Sequence, residues 1–186
     1  PKFFKNENGN FKEEKMLDDS LKGLWQQITA FDIDNDGDID YLLGNWGTNS
    51  KFKASKRQPL RMYYADFDDN KQTETIVCIE KDGEYYPIMG LDDLSGQLVF
   101  LRKKFNTYKS FAGKSINDIF DKDMLSKAEI LEVHTLASGY LKNEDGKFSF
   151  VPFDESLQTS PILAFLGADF DGDEQTEVLA AGNYFG

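Results

Sequence analysis

One pattern, written twice along the chain, constrains the fold more than any other feature. Lys5-Asn6-Glu7-Asn8-Gly9-Asn10-Phe11 recurs as Lys142-Asn143-Glu144-Asp145-Gly146-Lys147-Phe148, and Asp18-Asp19-Ser20-Leu21 recurs as Asp154-Glu155-Ser156-Leu157. The acidic stretch beginning at Asp32 recurs at Asp169, and Gly44-Asn45-Trp46 recurs as Gly182-Asn183-Tyr184. The four matches are colinear and lie 136 to 138 residues apart. Self-similarity of this kind marks a repeated supersecondary unit that relies on its neighbours to bury its apolar face.

Each copy carries the punctuation of antiparallel strands. Asn8-Gly9 and Asp145-Gly146 are two-residue hairpin turns between aromatic-rich strands. Short apolar strands at residues 28–31 and 162–166 run into the acidic loops, and strands at 40–45 and 177–181 run out. A third acidic loop begins at Asp66, flanked by strands at 60–65 and 75–80, and Asp82-Gly83 then turns the chain into 84–89. Short strands with regular turns predict a mainly β fold, as a sandwich, barrel or propeller.

Residues 92–128 break the pattern. Leu94, Leu98, Leu101, Phe105 and Tyr108 fall at helical spacing, which predicts one helix. Ser115 opens a second, with Asp118 completing a variant capping box and Ile116, Ile119 and Phe120 on one face. Arg102-Lys103-Lys104 reads as a solvated helix face. The chain therefore divides into β-units at 1–50, 58–91 and 129–186, with a small helical insertion at 92–128, all within one repeat region.

The acidic loops carry the chemistry. The first, at 32–40, places carboxylates at Asp32, Asp34, Asp36, Asp38 and Asp40 around Gly37. A hard cation such as Ca2+ takes six to eight oxygens from carboxylates, carbonyls and water, and four acids so close together would repel one another without a cation. Asp32, Asp34, Asp36 and Asp40 are assigned to the ion through their side chains and Asp38 through its backbone carbonyl, its own carboxylate facing solvent. The same positions give Asp66, Asp68, Asn70, Gln72 and Glu74 in the second loop and Asp169, Asp171, Asp173, Gln175 and Glu177 in the third. An EF-hand needs a bidentate Glu at position 12 and flanking helices. Position 12 is Leu43, Val77 or Ala180, in strand-like surroundings, so that reading fails.

Gly37 suits a turn that needs positive φ. Lys71 and Glu174 stand at the equivalent position, where a side chain costs on the order of 1 kcal/mol, and Asn70 removes a charge. The expected affinity order is first loop, third loop, second loop.

At these residues the chain resembles the FG-GAP and VCBS repeats of integrin-α-like proteins. The likeness rests on Asp32-Ile33-Asp34-Asn35-Asp36-Gly37-Asp38-Ile39-Asp40, the strand after it, the closing Gly44-Asn45 or Gly182-Asn183, and Leu141-Lys142-Asn143-Glu144-Asp145-Gly146-Lys147-Phe148. It covers 3–49 and 140–186 well, 63–80 in part, and the helical insertion poorly. Lys71 and Glu174 depart from the family's glycine. The resemblance implies β-propeller-like blades in a partial or open propeller, one Ca2+ per loop, and an extracellular, cell-surface or periplasmic setting in a bacterium.

Composition narrows the function. The net charge of −12 leaves no basic patch for nucleic acid. Apolar content of 40% and sixteen Phe exclude a disordered acidic tail. No apolar run is long enough to span a membrane. The only cysteine, Cys78, and the only histidine, His134, sit in strand-like segments and read as structural; nucleophile elbow, phosphate loop and zinc cluster are lacking. The chain starts without Met and reads as part of a longer protein with flanking repeats. The expected function is a non-catalytic module for adhesion or for binding a protein or glycan, with Trp25, Trp46, Tyr85, Tyr86 and Tyr184 as candidate contacts. The alternative is an accessory domain of a secreted polysaccharide-active enzyme.

Overall fold

The computed structural model describes residues 1–17 and 21–183. Tyr184 and the Asp18-Asp19-Ser20 part of the repeat lie outside the described residues. In chain order the strands begin with β1 (Phe3–Glu7), β2 (Asn10–Glu14), β3 (Gln27–Phe31) and β4 (Asp40–Gly44). β5 (Leu60–Ala65), β6 (Glu74–Lys81) and β7 (Glu84–Pro87) follow. Next come the short helices α1 (Leu91–Gln97), α2 (Leu101–Lys104), α3 (Tyr108–Phe111), α4 (Ile116–Ile119) and α5 (Lys122–Ser126). The chain closes with β8 (Glu129–Val133), β9 (Gly139–Glu144), β10 (Lys147–Pro152), β11 (Ile162–Ala168) and β12 (Glu177–Gly182).

The fold is mainly β. Four antiparallel sheets, none closed, form among the described residues: β1-β2, β10-β9-β4-β3, β11-β12 and β7-β6-β5-β8. The chain separates into two compact units, Pro1–Lys51 with His134–Gly186, and Phe52–Val133.

The three predicted hairpin turns form with both central residues at positive φ: Asn8 and Gly9 at 55° and 91°, Asp82 and Gly83 at 54° and 84°, Asp145 and Gly146 at 52° and 81°. That is the type I′ geometry whose twist matches the flanking strands. A side-chain oxygen locks each turn: Asn6 Oδ1, Glu80 Oε1 and Asn143 Oδ1 accept from the N–H of Gly9, Gly83 and Gly146.

In the first unit the duplication is structural as well as sequential. β3 pairs with β4 through Thr29↔Leu42 and Ala30↔Tyr41, and β11 pairs with β12 through Leu166↔Leu179 and Gly167↔Val178, the same register 137 residues on. Hairpins β1–β2 and β9–β10 also share register, Asn6 opposite Phe11 and Asn143 opposite Phe148. One combination is completed: β9 joins the free edge of β4 through Tyr41↔Leu141, Leu42↔Tyr140 and Leu43↔Gly139. Leu42, Leu43 and Leu141 are buried there. Gly139 is obligatory, because a Cβ would collide with the Val151 carbonyl oxygen. Asn45, fully buried, donates through Nδ2 to the carbonyls of Thr135 and Ala137, which anchors the chain after β4.

The second unit packs β5 and β6 against the helical insertion in one core that includes Ile76, Cys78, Leu94, Leu98, Leu101 and Phe120. The insertion corrects the sequence expectation of two helices, for it is five short ones. Leu98 leaves the helix at φ −115°, ψ 85°, so the apolar spacing survives while the backbone bends around a small core. Tyr108 departs from that stripe: it is 65% exposed and its hydroxyl donates to Asp92. The Ser115–Asp118 capping box forms as expected.

Candidate metal centres

The three acidic loops share one hydrogen-bonded frame, with one bond to the first carboxylate moved from position 5 to position 4 in the third. In the first, Asp32 accepts from the N–H groups of Asp36 and Gly37, Asp36 Oδ1 from Asp38 N, and Asp40 Oδ2 from Ile33 N. In the second, Asp66 accepts from Asn70 and Lys71, Asn70 Oδ1 from Gln72, and Glu74 Oε2 from Phe67. In the third, Asp169 accepts from Gly172 and Glu174, Asp173 Oδ1 from Gln175, and Glu177 Oε2 from Phe170. The first carboxylate thus pins the turn and the ninth residue clamps its entrance.

The frame requires positive φ twice, at positions 4 and 6. Position 6 is Gly37 (93°), Lys71 (70°) and Glu174 (68°); position 4 is Asn35 (56°), Asp69 (56°) and Gly172 (83°). Position 4 escaped the sequence reading. Asn tolerates the left-handed region through local hydrogen bonding, whereas Lys and Glu gain nothing there. The first loop is the least strained, the third carries one ill-suited residue, and the second carries two non-glycine residues, one of them Lys.

Carboxylate oxygens converge in every loop. Oxygens of Asp32, Asp34 and Asp36, of Asp66, Asp68 and Glu74, and of Asp169, Asp171 and Glu177 come within 4.8 Å of one another. Each group could hold a metal ion, and donors that are all oxygen suit a hard cation. Asp68 Oδ1 supports the fit: it is buried without a hydrogen-bond partner, a costly state for a carboxylate oxygen unless something positive meets it.

Some assigned residues stand apart from these groups. Asp40, 1% exposed, has both oxygens engaged, one by Ile33 N and the other by Asn143 N at 2.7 Å. Glu74 and Glu177 are one methylene longer and reach their clusters while making the same clamp. Asp173 is likewise engaged at both oxygens by Gln175, through N and Nε2. Asp38, expected to turn its carboxylate to solvent, makes an exposed contact there: its Oδ2 accepts from Asp145 N at 3.3 Å. Asn70 keeps its place in the second frame, and Gln72 and Gln175 enter through their backbone N–H groups.

The electrostatics differ from loop to loop. Backbone N–H donation, from Gly172 first, holds the Asp169 carboxyl below its ordinary value. At the first loop a protein cation approaches: Lys142 Nζ lies 3.3 Å from Asp34 and 3.1 Å from Glu144. Hydrogen bonds to Glu144 and then Asp34 raise its pKa.

Hairpin β9–β10 therefore reads the first loop. Lys142 reaches Asp34, Asn143 N reaches Asp40, Asn143 Nδ2 reaches the Ile39 carbonyl, and Asp145 N reaches Asp38. These contacts were absent from the sequence reading, although the recurring Lys-Asn pair pointed to them. Of the candidate aromatic contacts, Trp25, Trp46, Tyr85 and Tyr86 are partly buried: Trp25 meets Phe150 edge-on, and Tyr85 lies 4.1 Å beneath the Arg61 guanidinium. Burial pushes the Cys78 thiol up to about 12, which makes it inert at neutral pH. No helix among the described residues is long and apolar enough to cross a membrane. No family model, curated protein or solved structure matches the chain.

Proposed function

We propose that this chain is a calcium-stabilised repeat module of the FG-GAP/VCBS kind, its sheets acting as propeller-like blades. It works outside the bacterial cytoplasm as a non-catalytic surface for adhesion or for a protein or glycan partner. One observation carries the reading: three loops of different sequence keep the same frame and each gathers acidic oxygens. Asp32, Asp34 and Asp36 would hold the ion in the first loop, Asp66, Asp68 and Glu74 in the second, and Asp169, Asp171 and Glu177 in the third. The ion would neutralise the clustered charge and tie each strand pair at its corner.

Calcium at 100 times its dissociation constant stabilises a one-site protein by about 2.7 kcal/mol. Melting should therefore shift down on chelation and recover on readdition, and calorimetry should count up to three ions, filling in the order first, third, second. A melting curve indifferent to chelator and calcium sinks the reading. A glycan array probed with the calcium-loaded chain tests the glycan arm.

A further inference from the structure

Two two-stranded sheets of the first unit, β1-β2 and β11-β12, have no further strand among the described residues. β12 is the repeat equivalent of β4, paired to β11 in the register that pairs β4 to β3, but among the described residues its other edge is open. Leu179, at the position of buried Leu42, is 55% exposed. Hairpin β1–β2 is the equivalent of β9–β10, and every residue of it except Phe3 is exposed. In β9 the Lys142-Asn143 pair reads an acidic loop; in β1 the same pair, Lys5-Asn6, meets no loop among the described residues, and Lys5 lies 4.0 Å from Glu14. The third loop carries the acids, Asp171 and Glu177, at the positions that Lys142 and Asn143 N contact in the first. Open strand edges are templates for pairing, and two-stranded sheets are marginal alone.

We propose that β1–β2 of one copy of this chain docks along the open edge of β12 of a second copy, completing a four-stranded sheet β2-β1-β12-β11. The β4–β9 register fixes the geometry, with Phe4 opposite Val178 and Phe3 opposite Leu179. Lys5 then faces Asp171, and Asn6 N–H reaches the Glu177 oxygen that the Phe170 clamp leaves free. The interface is head-to-tail, so it builds a closed ring or an open chain of copies according to whether the rotation between them closes. These contacts use Asp171 and Glu177, which the proposed third ion would share, so association is measured in chelator as well as in calcium.

The test is disulfide trapping between two single variants, Phe4→Cys and Val178→Cys. Directly opposed strand residues lie about 4.5–5.5 Å apart, within disulfide reach, and Cys78 is buried and unreactive. Mild oxidation of the mixture should give one covalent dimer that neither variant gives alone. Phe4→Cys with Ala181→Cys, off register, should not cross-link. Lys5→Glu should weaken association about tenfold by setting like charges face to face, and sedimentation of the unaltered chain should show mass rising with concentration. A monomer at all concentrations with no cross-link above the off-register control overturns the proposal. So does a Phe4→Cys/Val178→Cys double variant that closes its disulfide within a single chain.

Discussion

The hairpins β3–β4 and β11–β12 begin from the same pattern and share a register, but they end in different environments. The first has accepted β9–β10, so β4 is paired on both sides, its residues are almost all buried, and its loop is held by Lys142, Asn143 and Asp145. The second pairs with no further strand among the described residues, and residues 179–182 of β12 are exposed. The contrast teaches that the repeat unit here is a loop hairpin plus a reading hairpin taken from elsewhere. Neither half buries its apolar residues alone.

Hydrogen exchange should separate the two hairpins most widely. Amides of β4 should exchange only through large-scale opening, and amides of β12 that point away from β11 should exchange through local opening at nearly no free-energy cost. Raising the protein concentration should slow the β12 set together with the outward amides of β1, and leave β4 unchanged. Equal protection of both strands in dilute solution breaks the comparison.

Truncation comes next. Leu42→Ala, at 2% exposure, should cost about 2–5 kcal/mol, and Leu179→Ala, at 55% exposure, should stay within about 0.5 kcal/mol. Urea denaturation of both variants reads the difference, and similar losses would mean that β12 is buried in solution. Within the loops the effect shrinks to backbone strain. A Cβ at Gly37 meets nothing within 4 Å, so Gly37→Ala isolates the cost of φ 93°, about 1–2 kcal/mol. Glu174→Gly should change stability in the opposite direction by up to about 1 kcal/mol. If both variants melt like the parent, the strain ordering of the loops is wrong.

The smallest effect is on pH. Asp169 has its folded pKa lowered by backbone donors, so its contribution is present above the ordinary carboxylate value and fades as pH falls through the lowered one. An NMR titration should find Asp169 ionising at lower pH than an unstructured Asp. An ordinary value there would remove the frame as the cause.

Much of the local structure was legible because it depends on few residues. Asn8-Gly9, Asp82-Gly83 and Asp145-Gly146 demand their turns, Ser115 and Asp118 their capping box, and the glycine at position 6 its left-handed backbone. The acidic clusters were equally legible from alternate Asp residues. Position 4 was hidden, because Asn35 and Asp69 are ordinary loop residues that reveal φ only in three dimensions. The single helix expected through residues 94–108 failed because apolar spacing reports which side chains face the core and is silent on whether the backbone bends between them.

By itself, then, the sequence determined the duplicated β-unit, its turns and the three acidic loops, all set by interactions within about a dozen residues. Only the tertiary structure decided that Asp40 accepts from Asn143 of another repeat, that Lys142 serves the first loop, and that β4 is a central strand while β12 is an edge among the described residues. The reason is physical: strand edges carry the same N–H and C=O groups in every copy, so what meets an edge depends on which hairpin the chain brings to it.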